Sequence, residues 1–430
     1  MPFSHLGLSS TLINAIHARG YTSATAIQQD VIPVFLSGRD VLATAQTGSG
    51  KTAAYCLPIL ENYLRAQANK QNKQNTQNTR SVQSLILVPT RELAVQVGDT
   101  LRSLGQGHTH PAKLAVLFGG ISINPQMLHL RGGADIVVAT PGRLLDLVSK
   151  NAIKLDQVAC LVLDEADRML ALGFADELKQ VLDLLPDTRQ SGFFSATFAP
   201  NVAELAEGIL RDPARINISN TEESAPDITQ RAIVVEATQR TQLLRHLFQT
   251  EKWSRVLVFV ATKYAADLLS TKLRRAHISA EAFHGEQTQG KRTQVLSDFK
   301  AARVKILVAT DVAARGIDIY QLPVVVNFDL PRSSDDYTHR IGRTGRAGEA
   351  GLAVNFICAD AANEAHFRLI EKRHGLKIVR EQIEGFIPSA ISLAQTSVDR
   401  PLDPNGGVKG KRPNKKDKLR ALQNQATTQE

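Results

Sequence analysis

The stretch from Ala45 to Thr52 constrains the fold of this chain more than any other part of it. It reads Ala-Gln-Thr-Gly-Ser-Gly-Lys-Thr, follows the apolar run Val41–Ala43 and precedes residues that favour a helix. The two glycines allow several backbone N–H groups to turn toward one anion, and the N-terminus of the next helix adds a partial positive charge. Although Ala45 stands where the general pattern has glycine, the order of strand, loop and helix predicts a phosphate-binding loop in an α/β domain. Lys51 would reach the β- and γ-phosphates of a nucleotide, and the Thr52 hydroxyl would ligate Mg²⁺.

Short runs of Val, Ile and Leu recur along the chain with helical segments between them. Unbroken runs of this kind predict strands of parallel sheets that are covered on both faces. They lie at 84–88, 113–118, 135–139, 159–163, 192–194, 232–235, 255–260, 304–309, 323–328 and 351–357.

The chain has 430 residues, which is too long for one such sheet. Residues 212–228 lose the apolar pattern and contain two prolines, so we place an interdomain linker at 218–228. This predicts a first domain at 1–217 and a second at 229–388.

The two predicted domains share a local pattern. Asp135–Arg143 and Lys305–Gly316 each begin as a buried strand that ends in Ala-Thr. A duplicated domain would produce this pattern. Because ligands of open α/β sheets bind beyond the carboxyl ends of the strands, polar residues at these ends in both domains predict one site that spans a cleft.

Two segments are too polar to pack. Residues 66–84 are rich in Gln and Asn and predict a disordered surface insert, and residues 389–430 predict a disordered tail, while 361–375 predicts the last packed helix. Of the net charge of +9, residues 409–420 carry seven basic side chains against Asp417. Such a run is either a solvated tail or a contact for a polyanion, and the motifs below favour the polyanion.

The remaining composition excludes several classes of protein. The longest apolar runs have strand length and cannot span a membrane, and residues 1–5 do not resemble the start of a secretory signal. Cysteines stand alone at 56, 160 and 358, and no Cys or His pair has metal-ligand spacing. We therefore expect no structural metal, and a reducing cytoplasm.

Acidic residues follow the apolar strand that ends at Leu163. Asp164 at a strand end can hold Mg²⁺ through water, and Glu165 beside it can accept a proton from an attacking water. The hydroxyls of Ser195 and Thr197, after another strand, are placed to hydrogen-bond Asp167 and relay the nucleotide state. A Ser/Thr turn is the alternative for the latter pair.

A basic motif near the end of the second domain reads His-Arg-Ile-Gly-Arg-Thr-Gly-Arg, residues 339–346. Arg343 and Arg346 are separated by Thr-Gly, which keeps the loop close and mobile. Planar guanidinium groups suit a γ-phosphate approached across a cleft, whereas a solvated basic loop is the simpler alternative.

These motifs together resemble a DEAD-box RNA helicase of superfamily 2, and most closely the bacterial RhlE-like group. The resemblance runs from Phe3 to about residue 385, and Asp164–Asp167 spells the family name. It implies an α/β fold of two tandem RecA-like domains with mostly parallel sheets, followed by the disordered basic tail.

The resemblance also implies roles for individual residues. In a Q motif at 1–29, Tyr21 would stack on adenine and Gln28 would read its polar edge, with Phe3 as a packing aid upstream. The other ATP-binding residues implied are Ala45, Gln46, Thr47, Gly48, Ser49, Gly50, Lys51 and Thr52, with Gly316 and Asp318 at the ribose. RNA-backbone contacts are implied for Pro89, Thr90, Arg91, Gly119, Gly120, Thr140, Pro141, Gly142, Arg143, Thr310 and Asp311. His339 and Arg340 would join Asp167, Ser195 and Thr197 in coupling ATP to RNA.

The activity implied is that of a Mg²⁺- and RNA-dependent ATPase that uses ATP to separate short RNA duplexes. Lys51, Asp164 and Glu165 lie in one domain and Arg343 and Arg346 in the other, so closure of the cleft would assemble the site. An ATP-gated RNA clamp and a DNA translocase are the rival functions. We expect a monomer, with ribosomal or RNA-decay proteins as possible partners and no membrane.

Overall fold

A computed structural model describes residues 1–45, 48–71, 80–108, 110–218, 228–314, 319, 322–345 and 350–389. We call residues 1–218 the first half of the chain and residues 228–389 the second half. Each half forms one parallel sheet with helices on both faces.

The first half begins with a short 3₁₀ helix at Phe3–His5. The helices are α1 (Ser10–Ala18), α2 (Ala26–Leu36), α3 (Lys51–Gln71), α4 (Arg91–Leu104), α5 (Asn124–Leu130), α6 (Pro141–Ser149), α7 (Ala166–Ala171), α8 (Ala175–Leu182) and α9 (Pro200–Ile209). The strands are β1 (Val41–Thr44), β2 (Ser84–Leu87), β3 (Leu114–Leu117), β4 (Ile136–Ala139), β5 (Cys160–Leu163), β6 (Gln190–Ser195) and β7 (Ala214–Asn217). They pair in the order β3-β4-β2-β5-β6-β1-β7.

The second half repeats this architecture. Its strands are β8 (Ile228–Val235), β9 (Val256–Val260), β10 (Ala280–Phe283), β11 (Ile306–Thr310), β12 (Val324–Asn327), β13 (Gly351–Cys358) and β14 (Arg380–Glu381). Its helices are α10 (Arg240–Thr250), α11 (Lys263–Arg275), α12 (Gln289–Lys300), α13 (Asp311–Ala314), α14 (Ser334–Ile341) and α15 (Ala361–His374). The strand order is β10-β11-β9-β12-β13-β8-β14.

The central strands are buried on both faces, as unbroken apolar runs predict. In β2, Ile86 packs into the core on one face of the sheet, and Leu85 and Leu87 pack into the core on the other. In β9, Val258 packs into the core on one face of the sheet, and its neighbour Leu257 packs into the core on the other. Successive side chains along each central strand therefore point to opposite faces of the sheet and pack against the helices on both faces.

The repeated Ala-Thr pattern reflects equivalent positions. β4 and β11 each lie second in the strand order of their sheets. This agrees with the predicted duplication, and all ten predicted apolar runs contain strands. The last packed helix was also predicted correctly, since α15 spans Ala361–His374.

Three details of the prediction were wrong. The insert predicted as disordered at 66–84 has ordered ends, because α3 continues to Gln71 and β2 begins at Ser84, with Val82 buried. Three strands, β7, β10 and β14, were missed, and β8 begins at Ile228, inside the predicted linker. Residues 72–79, in the middle of the insert, lie outside the described residues, as do residues 219–227 and 390–430, which include most of the linker and of the tail. Among the residues described, no helix is long and apolar enough to cross a membrane.

Candidate active site

The sheet of the first half sorts the predicted site residues into two groups. Residues predicted to act on ATP follow β1, β5 and β6, which are adjacent strands at one side of the sheet. Residues predicted to contact RNA follow β2, β3 and β4, which are adjacent at the other side. Since all seven strands are parallel, both groups lie along the same carboxyl edge.

The phosphate-binding loop joins β1 to α3. Gly48 and Gly50 have φ values of +84° and +98°, which L side chains rarely adopt. A Cβ at Gly50 would also lie 2.5 Å from Nε2 of Gln28. Lys51 is only 7% exposed, and its ammonium donates to the carbonyl of Ala45. The lysine therefore folds back over the loop from the first turn of α3. Gln46 and Thr47 lie outside the described residues.

Gln28 connects the N-terminal segment to this loop. Its Oε1 accepts from the backbone N–H of Thr25 at 3.0 Å, and its Nε2 donates to the carbonyl of Gly50 at 3.2 Å. The first bond belongs to a capping box at the start of α2. Tyr21 is 48% exposed and open to a stacking partner, whereas Phe3 is buried in the core, which suits a packing aid.

Asp164 lies at the end of β5 and is 2% exposed. Its Oδ1 accepts from the backbone N–H of Glu165 at 2.9 Å, and its Oδ2 accepts from the hydroxyl of Tyr55 at 2.7 Å. Burial, and next the charge of Glu165, raise the pKa of Asp164 to about 6, although the charge of Lys51 acts in the opposite direction. The site thus concentrates negative charge beside the phosphate-binding loop.

Glu165 has a left-handed backbone conformation, with φ 51° and ψ 49°, where it caps α7. A non-glycine residue held in this region stores strain of about 1–3 kcal/mol and is often found at functional sites. Its Oε2 accepts from Nη1 of Arg168 at 2.5 Å. The predicted proton acceptor is therefore oriented by a cation of its own helix.

Asp167 accepts a hydrogen bond from only one of the two hydroxyls predicted to bind it. Its Oδ2 accepts from the hydroxyl of Thr197 at 2.9 Å and from the backbone N–H of Thr197 at 3.1 Å. The Ser195 hydroxyl instead donates to the carbonyl of Thr197 at 2.7 Å. The prediction that both hydroxyls bind Asp167 was wrong for Ser195, because the chain bends so that Ser195 supports the turn that carries Thr197.

His339 lies where the two halves meet. Burial lowers its pKa to about 4, and the next cause is the charge of Arg168 from the first half. Asp167 and Glu165 act in the opposite direction, and Arg343 lowers the pKa as well. Because three of these four charges belong to the first half, α14 faces the acidic end of β5. The side chain of Arg343 is buried, at 2% exposed. Arg346, Gly316 and Asp318 lie outside the described residues.

Arg340 is directed into the second half. Its Nε and Nη2 donate to the carboxylate of Asp311 at 2.6 and 2.7 Å, and its Nη1 donates to Oδ1 of Asn327 at 2.9 Å. Asp311 was predicted to contact RNA together with its neighbour Thr310 at the end of β11. Its carboxylate joins the end of β11 to the motif that carries Arg343, and its contact with RNA stays a prediction.

An ion pair that the sequence did not reveal also joins the halves. Nη2 of Arg292 in α12 lies 2.9 Å from Oε1 of Glu92 in α4, and both side chains are more than nine-tenths buried. The guanidinium of Arg292 also stacks over the ring of Phe283 at 4.8 Å. Glu92 follows Arg91, so this pair lies directly beside the residues predicted to contact RNA.

The RNA candidates of the first half form a continuous edge. Thr90 caps α4 by accepting from the N–H of Leu93 at 3.3 Å, and Arg91 occupies the space that a Cβ at Gly120 would need. Gly120 has φ +77°. Pro89 is buried before this cap, and Gly119 has open space around its α-carbon.

The next RNA candidates start α6. Thr140 is its N-terminal cap residue, Pro141 takes the first helical position, and Gly142 follows. Arg143 is buried at 8% exposed, and its Nη2 donates to the carbonyl of Ile121 at 2.8 Å. Arg143 therefore supports the glycine loop after β3.

Comparisons with known proteins decide the family. The description "DEAD/DEAH box helicase" matches residues 25–205, and "Helicase conserved C-terminal domain" matches residues 239–348. The chain belongs to the DEAD-box helicase family. Its two halves are tandem RecA-like domains, and its activity is RNA-dependent ATP hydrolysis with unwinding of RNA.

Two curated relatives carry the same name. The ATP-dependent RNA helicase CshA of Limosilactobacillus reuteri is 37% identical over 412 residues, which cover 93% of this chain and 80% of the relative. The DEAD-box ATP-dependent RNA helicase CshA of Bacillus cereus is 39% identical over 355 residues, which cover 83% of this chain and 65% of the relative. These names favour unwinding over a pure RNA clamp. They do not test the RhlE-like subgroup, which stays a prediction.

Two solved structures of one yeast helicase match this chain to different degrees. Saccharomyces cerevisiae Dbp5 bound to RNA and ADP BeF₃ has a TM-score of 0.76 at 31% identity, covering 89% of this chain and 95% of that one. A Dbp5 variant bound to Nup159, Gle1, IP6 and ADP has a TM-score of 0.59 at 29% identity, covering 88% and 96%. The chain as a whole therefore superposes better on the RNA-bound structure.

Proposed function

We propose that this helicase works by closing its two halves over ATP and one RNA strand, so that short duplexes are separated locally. The observation that carries this proposal is the position of α14 against the acidic end of β5, where charges of the first half act on His339. A site divided in this way is complete only when the cleft is shut. Binding energy from RNA can then be used to assemble the catalytic groups.

In this mechanism the first half binds ATP and the second half completes the site. Lys51 reaches the β- and γ-phosphates, and Gln28 and Tyr21 hold the adenine. Glu165 accepts the proton of the attacking water, and Arg343 and Arg346 stabilise the charge on the γ-phosphate. The state of the nucleotide changes the contacts that Asp167, Thr197 and His339 make across the cleft. Arg340 and Asp311 connect these contacts to the residues proposed to bind RNA.

The residues present fit Mg²⁺. Asp164 and Glu165 are neighbouring, largely buried carboxylates, and burial raises the pKa of Asp164 to about 6. A divalent cation would stabilise this concentrated charge. We propose that Thr52 and Asp164 hold Mg²⁺ largely through water. When bound, it would neutralise charge between the β- and γ-phosphates.

We propose that RNA is bound mainly by its backbone, so that recognition is largely independent of sequence. The cap of α4, the glycine loop after β3 and the start of α6 offer N–H groups and Arg91 along one edge, and Thr310 extends this edge in the second half. Helix starts are suited to phosphates, and 2′-hydroxyls distinguish RNA from DNA.

The experiment that tests this function compares ATPase stimulation by single-stranded RNA and by DNA of equal sequence, together with strand displacement on a short RNA duplex. We expect stimulation and displacement with RNA only. Equal stimulation by DNA would favour the translocase. Slow RNA release without displacement would favour the clamp.

Four further properties are proposals from the sequence. We propose a cytoplasmic location, because the three cysteines are free thiols. A monomeric state and ribosomal or RNA-decay proteins as partners are proposals that rest on the resemblance to the family. We also propose that the basic residues 409–420 add RNA affinity. Removing residues 390–430 should then flatten the dependence of log K on log[salt] by up to about 0.7 for each phosphate that these residues neutralise. An unchanged slope would make this segment a solvated tail.

A further inference from the structure

Tyr55 links three parts of the ATP site within the first half. It lies one turn after Lys51 on the same face of α3, and its side chain is completely buried. Its ring packs against Phe194 of β6, with 5.1 Å between the centroids. Its hydroxyl donates to Oδ2 of Asp164 at 2.7 Å. One side chain thus joins the start of α3 to the ends of β5 and β6.

The hydrogen bond from Tyr55 completes a two-point hold on Asp164. The backbone N–H of Glu165 donates to Oδ1 at 2.9 Å, and Tyr55 donates to Oδ2. The terminal torsion of an aspartate has a broad energy profile, so its carboxylate plane is set by its partners. Each oxygen accepts one of these bonds and keeps a second lone pair for another donor, such as a water bound to a metal.

The chemical type of the donor matters. A guanidinium or ammonium group in the place of Tyr55 would orient the carboxylate but would also neutralise it. A phenol is uncharged, so Asp164 keeps its negative charge for a cation. A tyrosine phenol is protonated at neutral pH, so it acts as a donor to the carboxylate.

We propose that Tyr55 is a positioning residue that fixes the carboxylate of Asp164 for Mg²⁺. This inference rests on the Mg²⁺ assignment proposed above for Asp164. Groups that orient a metal-binding carboxylate are part of the site even though they do not touch the metal, and losing one typically weakens metal binding by about 10- to 100-fold. Tyr55 is therefore expected to set the Mg²⁺ requirement of nucleotide binding rather than the affinity for the adenine.

The test measures binding of a fluorescent ATP analogue to the full chain as Mg²⁺ is titrated. In Tyr55→Phe, which keeps the ring against Phe194, the Mg²⁺ concentration for half-maximal binding should rise by about 10-fold. Binding without Mg²⁺ should stay the same, and high Mg²⁺ should restore kcat. The matched control is Tyr63→Phe in the same helix, whose hydroxyl lies 3.5 Å from the carbonyl of Pro111.

A second variant separates positioning from packing. In an Asp164→Asn background, which removes the carboxylate that Tyr55 orients, adding Tyr55→Phe should cause no further shift in the Mg²⁺ curve. The inference is overturned if Tyr55→Phe and Tyr63→Phe have the same Mg²⁺ curve, even if thermal stability falls. It is also overturned if the shift persists in the Asp164→Asn background. If the unaltered chain itself binds the analogue without any Mg²⁺ dependence, the proposed metal site fails and this inference fails with it.

Discussion

The two halves of this helicase have the same strand order but use it differently. β5 and β12 each lie fourth in their sheets, and an aspartate follows each: Asp164 after β5 and Asp329 after β12. Asp329 accepts from the guanidinium of Arg240 at 2.6 Å and from the backbone N–H of Ala261 at 2.8 Å. Asp164 instead has a phenol and a backbone N–H as hydrogen-bond donors.

This difference teaches how a duplicated fold can keep its chemistry in one copy. In the second half, the cation that pairs with Asp329 is a fixed part of the protein. In the first half, the two hydrogen-bond donors to Asp164 are uncharged, as the proposed Mg²⁺ site requires. The sixth strand of each sheet, β1 in the first half and β8 in the second, shows a similar difference. The phosphate-binding loop follows β1, whereas α10, which begins with Arg240, follows β8.

The largest effect should come from testing the two acidic strand ends against each other. Glu165→Gln keeps the shape of the side chain but removes the proposed proton acceptor, so kcat should fall by roughly 10²- to 10⁴-fold while ATP still binds. Asp329→Asn should lower the melting temperature by a few degrees and leave ATP binding intact. Steady-state ATPase assays, nucleotide binding and thermal melts measure these values. Loss of ATP binding in folded Glu165→Gln would show that its role is wrong.

The next effect concerns the buried ion pair between the halves. Arg292→Met should weaken RNA binding in the presence of a non-hydrolysable ATP analogue by about 10-fold or more, because it leaves Glu92 buried without its partner. RNA binding without the analogue should change much less.

The matched control for this pair is Arg303→Gln, which removes an exposed pair with Asp298 in the same half. A double-mutant cycle with Glu92→Gln should recover a coupling of about 1.5 kcal/mol or more between Arg292 and Glu92. If the effects of Arg292→Met and Glu92→Gln on RNA affinity are additive, the ion pair does not contribute to closure.

The comparison of the halves also shows what the sequence could predict. Strands such as β2 and β9 were found because their apolar runs are buried on both faces. β10 was missed because its sequence, Ala-Glu-Ala-Phe, interrupts the apolar run, and β7 because it is a polar edge strand. The phosphate-binding loop and the acidic strand end were found because their chemistry depends on local spacing.

Contacts between distant parts of the chain were beyond the sequence. Glu92 and Arg292 are 200 residues apart in number, and neither position has a local pattern that identifies its partner. Tyr55 follows Lys51 by one helical turn, yet its bond to Asp164 depends on how β5 lies beside α3. Ser195 was assigned to the wrong partner because the turn that carries Thr197 sets the direction of its hydroxyl.

A smaller effect should appear with pH. In the closed arrangement, burial and then Arg168 lower the pKa of His339 to about 4, whereas the free side chain titrates at 6.5. Below pH 6.5, His339 binds a proton in the open cleft but stays neutral in the closed cleft. Protonation therefore favours the open cleft, and closure becomes weaker as the pH falls. RNA affinity with the ATP analogue should therefore drop between pH 6.5 and 5.5, by at most about 10-fold for this one proton.

The variant His339→Gln isolates this effect, since Asp164 titrates in the same range with a pKa of about 6. The part of the pH dependence that disappears in His339→Gln belongs to the histidine. An identical pH profile in the variant and in the unaltered chain would mean that His339 is not enclosed by closure.

The measurement that tests the divided site most directly is the coupling between ATP and RNA. A non-hydrolysable ATP analogue should tighten RNA binding by about 5- to 150-fold, or 1–3 kcal/mol, and RNA should tighten binding of the analogue by the same factor. Arg343→Ala should reduce both factors together, because the proposed contact of its guanidinium with the γ-phosphate forms only in the closed cleft. ADP should couple less, because it lacks that phosphate. If RNA affinity does not respond to the analogue, or if Arg343→Ala leaves the full coupling in place, the two halves do not form one site.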